Sequence, residues 1–147
     1  MTPRGIRNNN PGNLKDFGIP WDGLVGRDAD GFCVFATPFH GIRAAARDAH
    51  TDWSKGQTTV RTLLGGLRDS DGKLLRGGWA PEDENDTENY ISFVCKATGW
   101  REDEKLDFSS AATLGWFVRQ VFKMECGVTP YSDELIGTAV VAALEGR

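Results

Sequence analysis

The stretch Leu114–Asp133, LGWFVRQVFKMECGVTPYSD, decides how this chain is read. Leu114, Val118 and Val121 step by four and then three, with Phe117 and Phe122 flanking them, which is the spacing of one buried helical face. The next step of four lands on Glu125, and Gly127 and Pro130 then end the helix. A carboxylate thus stands where the pattern calls for a hydrophobe. Removing a charge from water disfavours its ionised form, so a carboxyl set among Phe and Val keeps its proton towards neutral pH, as a general acid must. The competing reading has Glu125 at the edge of the face, swung into solvent and idle.

The rest of the chain bounds what such a helix could serve. At 147 residues it is long enough for one self-supporting domain, 1–147, with no repeat, low-complexity tract or linker to divide it. Five Trp and eight Phe supply material for a core or a sugar-binding groove. A net charge of −4 offers no general attraction to nucleic acid. No run approaches a membrane span, and MTPRGIRNNN lacks the apolar centre of a signal peptide, so synthesis in the host cytoplasm and export by another route are expected. Cys33, Cys95 and Cys126 are odd in number and form no CxxC pair, while His40 and His50 lie ten residues apart on one predicted helix. Neither a disulfide framework nor a metal site is expected, nor any cofactor. Cys126 beside Glu125 reads as a small thiol rather than a nucleophile.

Taken in order, RGIRNNNPGNL at residues 4–14 is a dense loop signal in which Asn side chains bond nearby backbone and Pro11 and Gly12 set the bend. Its amides and arginines also suit the hydroxyl and acetamido groups of a sugar, which makes Arg7, Asn10 and Asn13 candidate binding residues. Trp21–Phe35 reads as a β-hairpin turning at Arg27–Gly31, the only clear β signal, with Asp28 and Asp30 as turn residues rather than a calcium loop. Thr37 and Pro38 open a helix that Gly56 stops, and a shorter helix follows over Thr59–Leu67. Arg68–Gly78 is an exposed loop or hairpin tip. In WAPEDENDTENYISFVCKATGW, Asn85 and Glu88 match a capping box for a helix with Tyr90, Ile91, Val94 and Ala97 on its buried stripe and Gly99 at its end. The acids from Glu82 to Glu88 suit a helix start electrostatically, and Glu84 or Asn85 could alternatively face a cleft. Asp107 or Ser109 should cap the helix of Glu125, and Ser132 a last one. The sum is a mostly helical α+β domain with one small hairpin.

Two groups of residues resemble known families. Glu125, Gly127, Tyr131 and Asp133, at the end of a helix, are similar to the Glu, Gly, Tyr and Asp of tailed-phage lysozymes. GIRNNNPGNL, Trp21-x-Gly23, Phe35-x-x-Pro38-x-x-GIRA and WAPEDEN-x-T-x-x-YI together resemble a family of phage and prophage proteins described as virion-associated and lysozyme-like or lytic-transglycosylase-like. This second resemblance covers most of the chain. It implies a lysozyme-like fold, circularly permuted because here the hairpin precedes the helix bearing the acid, with the turn at Tyr131–Asp133 lying beside the loop of Asn8–Asn13.

It also implies a peptidoglycan-cleaving glycosidase, either muramidase or lytic transglycosylase, acting on β-1,4 glycan strands of the bacterial wall at lysis or from the virion. Glu125 would be the general acid, with Asp133 and Glu84 as candidates for a second carboxylate. Arg7, Asn10, Asn13, Trp21, Asn85 and Tyr131 would bind substrate. A monomer is expected. A non-catalytic virion or wall-binding protein is the alternative, and an inhibitor using the acidic face Glu82–Glu88 ranks behind both.

Overall fold

In the computed structural model, which describes residues 2–82 and 85–146, the helix read around Glu125 spans Ala111–Cys126. The order of elements is α1 (Arg4–Arg7), β1 (Leu24–Arg27), β2 (Cys33–Phe35), α2 (Pro38–Ser54), α3 (Val60–Gly65), β3 (Leu67–Arg68), β4 (Leu74–Arg76), α4 (Thr87–Thr98), α5 (Ala111–Cys126) and α6 (Asp133–Leu144). The class is α+β and mostly helical. No helix among the described residues is long and apolar enough to cross a membrane.

Helix α5 is the hub. It packs against α4, α6, α2 and α1, and its Leu114, Phe117, Val118, Val121 and Phe122 are fully buried. The most extensive helix pairing is between α2 and α6, where Ala45, Ala46 and Ala49 meet a face carrying Ala139 and Ala143. Small side chains on both partners let the axes approach closely. Thr37, Thr59, Ser110 and Ser132 each accept a hydrogen bond from the backbone of the first turn they open.

Two caps fall one residue later than the sequence suggests. Asp86, not Asn85, opens α4 by accepting from Asn89 N at 3.1 Å. Ser110 opens α5 because Asp107 is spent on the preceding turn, where it accepts from Ser109 N at 3.0 Å. The helix expected over Thr59–Leu67 stops at Gly65, since Gly66 has φ +99° and Leu67 turns away to pair with Arg76 in a second antiparallel ribbon. The exposed loop or hairpin tip expected over Arg68–Gly78 is the turn and second strand of this ribbon, whose strands of two and three residues are too short to show alternation.

That first hairpin pairs Leu24 with Phe35 and Arg27 with Cys33. Asp28 makes its turn, accepting from Asp30 N, Phe32 N and Asn8 Nδ2. Residues 4–14 are more ordered than a plain loop: one helical turn, α1, leads into a chain with Asn9 at φ +52° and Asn13 at φ +50°. This segment is wedged between hairpin and helices. Cys33 N donates to Leu14 O and Phe35 N to Asn8 O on one side. On the other, α2 presses so close that a Cβ added to Gly41 would lie 1.6 Å from Asn9 O.

Gly41→Ala is therefore expected to force the loop off α2, lowering stability by about 1–3 kcal/mol, the usual cost of overpacking. Chemical denaturation checks this, and an unchanged midpoint would show that the loop does not bear on the helix.

Candidate functional site

The last turn of α5 carries Glu125 into the space between the N-terminal segment and α4. Asn13 Nδ2 donates to Glu125 Oε1 at 3.0 Å, and Tyr90 OH donates to Oε2 at 2.9 Å. The two donors come from residues 112 and 35 positions away. Asn13 reaches the carboxyl because its left-handed backbone turns the loop there, a conformation that Asn tolerates better than most residues. Tyr90 reaches it from the buried stripe of α4, where the ring packs in the core and only the hydroxyl has a polar target.

Glu125 is half-buried rather than waving in solvent. Burial pushes its carboxyl above the usual carboxylate range, opposed by the hydrogen bonds from Asn13 and Tyr90, which favour the ionised form. Burial and the adjacent Glu125 together hold the Tyr90 phenol well above its ordinary value, so it stays a donor. The Cys126 thiol is pushed up to about 11 by burial and then by Glu125, and it donates to Pro11 O at 3.4 Å. It is a packing thiol, as its sequence setting suggests. The close approach extends to α1, where a Cβ on Gly5 would meet Cys126 Sγ at 2.6 Å and Asn13 Oδ1 at 3.1 Å.

Of the candidate residues, the structure brings Asn13 and Glu125 together and disperses most of the others. Asn10 is 1% exposed, and its amide is consumed in donating to Leu14 O and Cys33 O and accepting from Leu14 N, so it builds the loop instead of meeting a substrate. Tyr131 turns inward, its ring edge-on to Phe122 at 6.5 Å and its hydroxyl buried, which raises its pKa to about 12. Asp133 points the other way: its side chain is 91% exposed and paired with Arg119 Nη1 at 2.6 Å, at the start of α6. Trp21 packs with Leu24 on the small cluster of Leu14, Cys33, Phe35 and Ala44. Arg7 is exposed at the end of α1, and Asn85 is exposed with its amide donating to Pro81 O at 3.4 Å. Glu84 lies outside the described residues.

Two features emerge only in the folded structure. The spacing of Tyr90 predicts a core position and nothing more, because helical spacing reports which face a residue occupies and not where a hydroxyl at its tip ends. Asp48 and Asp52, four apart on α2, share a face beside Arg76, whose Nη2 bonds Asp52 Oδ1 at 2.9 Å. Asp48 is raised to about 7, by burial first and then by the Asp52 charge, with Arg76 pulling the other way. The signal was the i, i+4 acid pair on an alanine-rich helix.

A folded-state pKa near 7 against 3.8 unfolded means that folding takes up a proton between those values, so stability falls as pH rises through that window. Asp48→Asn should therefore melt at a higher temperature than wild type at pH 8 and at the same temperature below pH about 4. Calorimetry at the two pH values checks both halves, and a lower melting temperature for the variant at pH 8 would contradict the assignment.

No family model matches the chain. A relative does: Protein P5 of Pseudoalteromonas phage PM2 is 42% identical over 137 residues, a stretch that takes in 90% of this chain and 77% of the relative. The alignment spans most of both chains, so the likeness concerns the domain and not an isolated motif. At that identity and coverage, the chain belongs to the family of phage PM2 Protein P5.

Proposed function

We propose that this protein cleaves the β-1,4-linked glycan of peptidoglycan for a bacteriophage or prophage, with Glu125 as the proton donor. The observation that carries the reading is the Glu125 carboxyl itself, half-buried and fixed through both oxygens by Asn13 and Tyr90. Glycoside cleavage needs a proton delivered to the leaving oxygen as positive charge builds on the sugar ring, and a positioned carboxyl with a raised pKa suits that step. The family membership supports a phage setting, and a lysozyme-like fold, permuted so that the N-terminal segment closes on the acid-bearing helix, accommodates the contact between Asn13 and Glu125.

The solvent-exposed pairing of Asp133 with Arg119 removes it as a second carboxylate, and the route proposed here uses Glu125 alone. Glu125 gives its proton to the glycosidic oxygen as the bond from that oxygen to the anomeric carbon breaks. The sugar's own hydroxyl then attacks the anomeric carbon and returns its proton to the Glu125 carboxylate. The products are a chain with a free hydroxyl and an anhydro end, which is lytic transglycosylase chemistry. Hydrolysis would instead leave an end heavier by one water, so the fragment mass separates the two.

Glu125→Gln keeps the shape and removes the transferable proton. It should lower release of soluble fragments from purified sacculi by about 10²–10⁴-fold, as loss of a general acid does, while the protein still unfolds cooperatively. Full clearing by a folded variant would remove Glu125 from the chemistry, and absence of clearing by the wild type would leave the wall-binding or virion-structural alternative.

Tyr90→Phe should move the pH profile in a defined direction. The Tyr90 hydrogen bond favours the ionised carboxyl, so its loss raises the pKa of Glu125 further. Activity that requires the protonated acid falls as pH rises through that pKa, and the alkaline limb should shift to higher pH in the variant. An unmoved limb with reduced rate would mark Tyr90 as packing only.

A further inference from the structure

A groove of about 440 Å³ runs between the turn that follows Asn13 and the segment that follows β4. Asn13 and Phe17 stand on one side, Gly77 and Trp79 on the other, and Asp48 and Asp52 rise from α2 between them. Asn13 belongs at once to this groove and to the Glu125 group, since its amide nitrogen holds the Glu125 carboxyl. Trp79 is fixed in orientation by donating its Nε1 proton to Gly12 O at 3.0 Å. Phe17 is 82% exposed, an aromatic ring that the fold leaves without cover.

We propose that this groove is the bed of the glycan strand, with Phe17 and Trp79 as its aromatic walls and Asp48 and Asp52 as hydroxyl-binding groups between them. The inference rests on the glycan reading above and names the surface that serves it. Sugars present apolar ring faces edged with hydroxyls, and sites for them pair aromatic surface with a few placed polar groups. Carboxyl oxygens accept from two hydroxyl groups apiece, and a carboxyl that retains its proton can donate as well. The Arg76 guanidinium fixes Asp52, through bonds to its Oδ1 and to Gln57 Oε1. A strand lying here meets Asn13, the residue whose amide holds the Glu125 carboxyl.

Gly77 offers a way to close the groove without disturbing the fold. A Cβ placed there has no atom within 4 Å, and its φ is outside the left-handed range, so a large side chain grows into open space. Binding is best read in the Glu125→Gln background, where sacculi remain intact. Co-sedimentation with purified peptidoglycan sacculi is expected to show binding by Glu125→Gln alone. Adding Gly77→Trp, or Asp48→Ala, should weaken that binding at least about tenfold, the scale of a lost hydrogen bond to a charged group or of a blocked contact. Circular dichroism confirms that each protein is folded.

If wild type releases fragments and Glu125→Gln does not, yet both groove variants bind as well as their parent, the groove assignment falls and the cleavage reading stands. If wild type releases no fragments but binding is present and lost in the groove variants, the groove stands and the cleavage reading falls. A folded parent that does not bind sacculi at all overturns the groove assignment.

Discussion

The contact between Asn13 and Glu125 joins the two ends of this chain, and the rest of the arrangement depends on it. A carboxyl drawn from water at the end of a helix is costly unless donors are brought to it. Here the donors come from a loop near the N-terminus and from the hydroxyl at the tip of an α4 side chain. Neither lies near Glu125 in sequence, so the pair exists only when the whole domain has closed. The group is therefore a product of folding and also a brace for it.

Residues 4–14 make that closure possible. Asn10 satisfies the backbone of its own turn and of β2, Asn9 carries its amide to Phe35 O, and Cys126 donates to Pro11 O. Two of these bonds fix β2 and one fixes α5, while Gly41 of α2 presses on Asn9 O, so the segment is held by hairpin, α2 and α5 together. A polar segment enclosed on several sides must account for its backbone groups, and the asparagines do so. This is why a stretch that reads as sugar-binding amides is spent mostly on architecture, with Asn13 as the exception.

The electrostatics follow from where acids are left half-dry. Glu125 and Asp48 are both raised chiefly by burial, but they are compensated differently. Glu125 has two neutral donors, whereas Asp48 has a like charge beside it and shares one arginine with that neighbour. Acids at the surface behave in the ordinary way: Glu88 is drawn below its usual value by Arg61, which also reaches Glu102, and such exposed pairs contribute little. Tension between burial and charge is thus concentrated around Asn13 and α2, on the side where the groove opens.

Local chemistry alone determined the helix from Leu114 to its glycine stop, the caps at Thr37 and Ser132, the hairpin turn at Asp28 and the odd position of Glu125 in an apolar stripe. These are settled by neighbours within a turn or two, through periodicity, capping and turn preference. What touches Glu125 was decided only by tertiary structure. The shared motif residues Asn10, Tyr131 and Asp133 are all close in sequence to Asn13 or Glu125, yet they face a loop interior, the core and solvent. Tyr90, a core position within WAPEDEN-x-T-x-x-YI, and Asp48, which belongs to no motif, lie at the carboxyl and in the groove. Spacing along a helix says which side of the cylinder a residue takes. What lies opposite that side depends on which distant segment packs there, and on this chain that is set by a loop more than a hundred residues away, 112 positions from Asn13 to Glu125.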